Sequence, residues 1–333
     1  MEENLRRYFL HLGYYVLRGV KFKYHAFDVT DVDLWLYSKP SALARQRTCV
    51  DIKNKKTPQA LERIFWAKGL KETLGLDACM VATTDSRPDV REFGLSHEVA
   101  VLDGPFLGRL QASAKSHIDR LSEEEFLAEA SHGSLGKMGG DWKGRYEEAK
   151  SRILTNLRFD GANAYINDIQ YFLEQRIAVG DSNPMPLRLV YSVISMFAVA
   201  VDFVLKDHSA LDNEHRFCLL CEGFRYGDSG KDNATRLARL AADLTDAAGI
   251  APGTGKAVFD ELNRQAAEIP AEALAEHFSK GSVQGALFFI AIEFESAAFA
   301  PNVLVPSQLS VNAQGILGVI ADFLGIDRKK VMT

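Results

Sequence analysis

Five short apolar runs lie between residues 14 and 104, and their spacing restricts the fold more than any other feature of the chain. "YYVLRGVKF" (14–22), "DVDLWLY" (31–37) and "TCVDIK" (48–53) come first, with only short polar segments between them. "DACMVATT" (77–84) and "VAVLDG" (99–104) follow after helix-length intervals. Apolar, β-branched runs bounded by turn residues predict strands. The polar "SKPSALARQR" before the third run predicts a hairpin-type loop, whereas strands joined through a helix pair in parallel. Leu5, Tyr8, Phe9 and Leu12 recur at helical spacing and predict a helix over 2–12, closed by Gly13. Thr57-Pro58, an N-cap with proline at the first helical position, predicts a second helix running to about Gly75, with Leu61, Ile64, Phe65 and Leu74 toward a core. A short helix is predicted after Pro88. The predicted order is helix, three strands, helix, strand, short helix, strand.

The pattern changes at 132–144, where "HGSLGKMGGDWKG" holds five glycines and little apolar content and predicts a linker or hinge. Beyond it helices are predicted almost throughout, over about 145–179, 187–206, 213–224, 233–248, 256–267, 271–279, 282–299 and 307–324. The expected fold class is therefore an α/β N-terminal domain, residues 1–131, followed by an all-α domain, residues 145–333. At 333 residues, with 47% hydrophobic and 25% charged content, the composition excludes disordered, collagen-like and disulfide-stapled classes. Four cysteines predict a reducing compartment. No basic-then-apolar leader opens the sequence, and the most apolar run, 189–205, is interrupted by Asp202 and preceded by Arg188, which predicts a buried helix rather than a membrane span. The expected location is cytoplasmic, with no membrane partner. Residues 1–110 carry 17 Lys and Arg against 14 Asp and Glu, the remainder 22 against 30. The first part suits a polyanionic partner and the second does not.

Two of the strands contain acids. In "TCVDIK" successive side chains alternate, so Asp51 and Lys53 share one face and Ile52 enters the core. Asp33 interrupts the preceding strand, which a hairpin would lay alongside. Two converging, partly buried carboxylates repel unless a cation joins them, and oxygen-only ligation by Asp33 and Asp51 suits Mg²⁺ or Mn²⁺. Lys53 beside such a metal would orient an attacking water and stabilise charge on a phosphate. Lys55, Lys56, Arg63 and Lys68 extend the basic edge toward a phosphate backbone. Arg6, Arg7, Lys21 and Lys23 would lengthen that path, although Arg6 and Arg7 also answer Glu2 and Glu3 at helical spacing.

"DVDLWLY" followed by "VDIKNKK" resembles the PD-(D/E)XK nuclease superfamily, which has the restriction-endonuclease-like fold and includes Holliday-junction resolvases and Mrr-type restriction enzymes. The resemblance covers roughly residues 1–110 and implies an αβββαβ core. Asp33 matches the first aspartate of the motif, with valine in place of proline before it. Asp51 matches the acid of the tripeptide and Lys53 its lysine. A further glutamate on the first helix matches Glu2 or Glu3. The resemblance implies metal-dependent hydrolysis of phosphodiester bonds, of DNA rather than RNA, in restriction, phage defence or repair.

Against this stands the reading of Asp51 and Lys53 as a surface ion pair, worth about 0–1 kcal/mol and needing no function. A second alternative is a catalytically inactive, nuclease-derived scaffold that binds nucleic acid or a partner protein. The helical domain suggests no chemistry and is expected to hold a protein partner, a second copy or a regulatory contact. "APGTGKA" (251–257) lacks the Ser or Thr and the preceding strand of a phosphate loop and reads as a helix–helix turn. "CLLC" (218–221) reads as buried thiols rather than a zinc site, His25 as a surface-loop histidine, and "GALFFIAIEF" (285–294) as core.

Overall fold

A computed structural model describes residues 1–25, 27–53, 59–113, 120–133, 140–249, 251 and 253–332. The chain opens with α1 (Glu2–His11), β1 (Tyr15–Tyr24), β2 (Phe27–Ser38), β3 (Gln46–Lys53), α2 (Ala60–Leu74), β4 (Ala78–Thr83), α3 (Pro88–Ser96) and β5 (Ala100–Leu102). The strands form one sheet in the order β1-β2-β3-β4-β5. The β1–β2 and β2–β3 pairs are antiparallel; β3–β4 and β4–β5, each joined through a helix, are parallel. All five predicted strands are present, although β2 begins at Phe27, ahead of the predicted start. Gly13, with φ of 83°, closes α1: the Gly13 N–H reaches the Leu10 carbonyl at 2.9 Å and the Tyr14 N–H that of Phe9 at 3.0 Å. Thr57 and Pro58 lie outside the described residues.

Both faces of the sheet are covered, which is why its central strands read as continuous apolar runs. Leu5 and Phe9 of α1 pack with Val16, Leu34, Leu36, Val50 and Ile52 on one face. Leu107 and Leu110 of α4 (Gly104–Ser113) complete that cluster. On the other face Tyr15, Trp35, Tyr37, Cys49 and Val81 join Ile64 and Ala67 of α2 and the helices beyond. The face that α2 buries is Ala60, Ile64, Ala67, Leu70 and Leu74. Leu61 and Phe65, expected in the core, are instead 40% and 59% exposed.

The rest of the chain is helical: α5 (Glu123–Gly133), α6 (Trp142–Thr155), α7 (Phe159–Val179), α8 (Met185–Lys206), α9 (Asn213–Tyr226), α10 (Gly230–Ala247), α11 (Thr254–Glu268), α12 (Ala271–Phe278), α13 (Gly281–Ala298), α14 (Val311–Phe323) and α15 (Arg328–Met332). The expected helix over 145–179 is two helices, parted at Asn156–Arg158. The glycine-rich segment predicted as a linker is helical at both ends, since Gly133 ends α5 and Trp142 begins α6 with its side chain fully buried. One apolar cluster runs from Tyr15 to Val331, so sheet and helices share a core. Helix α8 is long and apolar enough to cross a membrane, but 89% of its most apolar stretch is buried inside the molecule. Asp202, which interrupts that helix in sequence, is fully buried and binds Tyr37, Lys39 and Arg45 from β2 and the loop after it.

A buried charge cluster fixes α1 to the helices. Arg6 is fully buried, with Glu123 at 3.1 Å, Glu295 at 2.8 Å and the Phe299 ring 4.0 Å beneath its guanidinium. Burial alone would raise both carboxyls, yet Lys150 and Arg6 around Glu123, and Arg120 and Arg6 around Glu295, hold both below the usual range. Arg6 is thus structural and cannot belong to a phosphate path.

Helix α3 lies against β5 with no space between them. A Cβ on the buried Gly94 would meet Val101 Cγ2 at 2.4 Å and the Val99 carbonyl oxygen at 2.8 Å. Since the carbonyl is backbone and cannot turn aside, Gly94→Ala is expected to destabilise the chain by about 1–3 kcal/mol, read as a lower midpoint in urea unfolding.

Candidate active site

The candidate site forms where β2 and β3 part. Pairing of the two strands runs from Ser38↔Gln46 to Leu34↔Val50 and stops there, so Asp33 and Asp51, next in register, face each other just beyond the ladder. On the other side of β2 the pairs Arg18↔Leu34 and Val20↔Val32 flank an interruption at Gly19 and Asp33. Gly19 has φ of 60°, the left-handed region that glycine adopts without strain. Across this point the strands exchange faces: Val16 and Leu34 belong to the α1 cluster, Val20 and Val32 to the other. Asp33 therefore lies where β2 has no registered partner on either side.

Freed from the ladder, the Ile52 N–H donates to Asp33 Oδ2 at 2.6 Å. The Ile52 side chain enters the α1 cluster, as alternation predicts. Asp33 titrates at about 6, well above an ordinary aspartate. Burial is the largest cause, and the charges of Asp51 and Glu2 add to it; the Ile52 N–H and Lys53 act in the opposite direction. Asp51, Glu2 and Lys53 thus lie near enough to act on the charge of Asp33. Among the described residues Lys53 has no ion-pair partner.

Arginines hold the other acids. Arg63, on the first turn of α2, grips Asp51 with two nitrogens; Nε lies 2.7 Å from Oδ2 and Nη2 contacts Oδ1. Asp51 is 8% exposed and the Arg63 side chain 22%. Arg18 of β1 binds Glu2 at 2.8 Å, Glu3 at 3.4 Å and Glu124 of α5 at 2.6 and 2.7 Å. Met1, Glu2, Glu3, Arg18, Ile52 and Glu124 line a cavity of about 330 Å³ beside Asp33. A larger cavity, about 550 Å³ and bounded by Asn163, Ile166, Arg225 and Phe323, lies in the helical part; none of the predicted site residues lines it.

Several of the expected residues have partners that the sequence did not suggest. Arg63, expected on a phosphate path, is paired with a site acid. Lys68 donates to the His97 carbonyl at 3.3 Å, at the end of α3. Lys21 and Lys23 pair with Glu147 and Glu148 of α6 at 3.2 and 2.7 Å. Cys218 is exposed rather than buried, whereas Cys221 is half-buried and packs against the core. Lys55 and Lys56 lie outside the described residues. His25 is exposed at the tip of the β1–β2 hairpin, as expected of a loop residue. The roles of Arg18 and Glu124 were not foreseen: they stand 106 residues apart, and no local pattern pairs them.

Asp33 and Asp51 offer oxygen donors of the kind a hard divalent cation takes, and Glu2 lies near enough to act on the charge of Asp33. Among the described residues, however, no set of three or more His, Cys, Asp or Glu side chains stands in position to hold a metal ion. Asp51 faces Arg63, and Glu2 faces Arg18.

The raised titration of Asp33 makes a stability prediction. Well below the ordinary aspartate value of 3.8 the residue is protonated folded and unfolded, with no penalty. As pH rises from 4 to 6 the unfolded chain ionises first, so wild type loses stability, and above 6 the loss is complete. Asp33→Asn keeps an acceptor for the Ile52 N–H and cannot ionise. After allowance for partial exposure, the variant is expected to be more stable by roughly 1–2 kcal/mol at pH 7 and nearly unchanged at about pH 3. Urea unfolding at the two pH values checks this; an equal difference at both would contradict it.

Comparison of the chain with protein-family models, with curated proteins and with solved structures gives no match.

Proposed function

We propose that the chain is a metal-dependent nuclease that hydrolyses phosphodiester bonds, of DNA in preference to RNA. The observation that carries this reading is the placing of Asp33 opposite Asp51 where two strands separate, with Glu2 and Lys53 near enough to act on the charge of Asp33. The order α1-β1-β2-β3-α2-β4 and the change from antiparallel to parallel pairing support the resemblance to the restriction-endonuclease-like fold. Asp33 and Asp51 would hold Mg²⁺ or Mn²⁺, with Glu2 next to them. When bound, the metal would lower the pKa of a water and neutralise the phosphoryl oxygens. Lys53, whose ammonium is a compact donor on a flexible stem, would orient the attacking water and offset charge on the phosphorane-like transition state. Attack of that water on phosphorus breaks one P–O bond and leaves a phosphate and a hydroxyl end. A role in restriction, phage defence or repair follows by analogy of fold alone.

A second reading rests on the Asp51–Arg63 pair. If the guanidinium permanently takes the place of the cation, the chain is a nuclease-derived scaffold that binds nucleic acid or a partner protein without cutting. Incubating plasmid and linear DNA with the wild type, Asp51→Ala and Lys53→Ala in Mg²⁺ or Mn²⁺ separates the two. Cleavage lost in both variants supports the nuclease; cleavage that persists in both, or is absent from the wild type, sinks it.

A further inference from the structure

We propose that Arg63 is a displaceable counter-ion that couples metal loading to the arrival of a phosphodiester; the inference rests on the nuclease reading and adds a positioning residue to it. Arg63 engages both oxygens of Asp51 and neutralises its charge, so the carboxylate binds a cation better once the guanidinium lets go. A divalent ion and Arg63 therefore compete for one carboxylate. A phosphate presents the same two-oxygen edge as a carboxylate, and a guanidinium binds either through two parallel N–H donors. A phosphodiester entering the site thus gives Arg63 an equivalent partner and vacates Asp51 at the moment metal is needed.

The surroundings of Arg63 suit such a transfer. The guanidinium carbon lies 5.4 Å from the centre of the Trp66 ring, one helical turn further along α2, and that ring is 45% exposed. The ring offers a cation a second, weaker partner and keeps the head group at the mouth of the site when Asp51 is surrendered. By contrast Arg6 and Arg45, whose side chains are fully buried, have no room to exchange partners. Coupling of this kind is reciprocal, so phosphate should tighten metal and metal should tighten phosphate. Without substrate the site binds free cations more weakly.

The test uses the full chain in the Lys53→Ala background, so that DNA is bound without being cut. Mn²⁺ affinity is measured by titration calorimetry with and without a short DNA duplex, after subtraction of Mn²⁺ bound by the duplex alone. The duplex is expected to tighten Mn²⁺ about ten-fold when Arg63 is present. Arg63→Gln is expected to bind Mn²⁺ about ten-fold more tightly without DNA, and the duplex to add less than two-fold. Arg63→Lys, which keeps the charge but not the fork, should fall between them and serves as the readout should the glutamine variant fail to fold by circular dichroism. Mn²⁺ binding that depends on Asp33 but has one affinity in all variants, with or without DNA, overturns the role of Arg63 alone. Absence of Asp33-dependent Mn²⁺ binding in every variant overturns the metal site itself.

Discussion

Asp202→Ala is expected to lower the stability of the chain by about 3–5 kcal/mol, the largest effect of any single substitution considered for the fold. The carboxylate is fully buried near the end of α8. It accepts from Tyr37 Oη at 2.7 Å, from Arg45 Nη2 at 2.9 Å and from Lys39 Nζ at 3.3 Å, and Arg45 Nε also contacts it. Truncation leaves the fully buried Arg45 guanidinium without its counter-ion, while Lys39 Nζ keeps the Gln284 and Gly285 carbonyls, and the expected loss is that of unpaired charge rather than of one hydrogen bond. Arg45 Nη1 keeps the carbonyls of Ser41, Ala42 and Ala44, so the β2–β3 loop should retain its shape while its attachment to α8 fails. Asp202→Asn, which preserves one acceptor, should lose less. Guanidinium chloride unfolding of the three proteins checks the order; a midpoint for the alanine variant equal to that of the wild type would show that the attachment contributes nothing.

The second large effect is on cleavage. Lys53→Ala is expected to slow phosphodiester hydrolysis about 10²–10³-fold, the usual consequence of removing a donor that stabilises developing charge. Its Mn²⁺ affinity should be unchanged, because the ammonium is no ligand. Asp51→Ala should abolish cleavage and weaken Mn²⁺ together, since both depend on the same carboxylate. The contrast between the two variants is the diagnostic result: single-turnover rates and Mn²⁺ titration on each would separate loss of a donor from loss of a ligand. Equal loss of Mn²⁺ affinity in both would place Lys53 in the structure of the site rather than in its chemistry.

The strand-borne part of the site was legible because a β-strand has a period of two. Ile52 between Asp51 and Lys53 announces which way each side chain points, and Ile52 does enter the core. Asp33 stood out as an acid within an apolar run, and register brings it opposite Asp51. The partners of these acids were not legible. Arg63 stands 12 residues from Asp51, on a helix whose apolar residues surround it on all sides, so periodicity could not choose a face. The choice fell on Leu61 and Phe65, whereas small residues, Ala60 and Ala67, mark the side that meets the sheet. Arg6 resembled an ordinary surface partner of Glu3, at 3.8 Å; only Glu123 and Glu295, more than a hundred residues away, reveal it as buried. Helix–helix segmentation was read well where glycine and proline punctuate the chain and missed at Asn156–Arg158, which contains neither.

The apolar cluster common to sheet and helices has a bearing on how such a molecule can be cut up or recombined. A piece ending at residue 131 would strip Ser195 from the Tyr15 hydroxyl, and Asp202 and Phe288 from Tyr37; the rings of Tyr15 and Tyr37 flank Trp35. The acid-bearing strands are consequently no portable cartridge: a chimera must either carry α8 and α13 with them or supply an equivalent greasy bed.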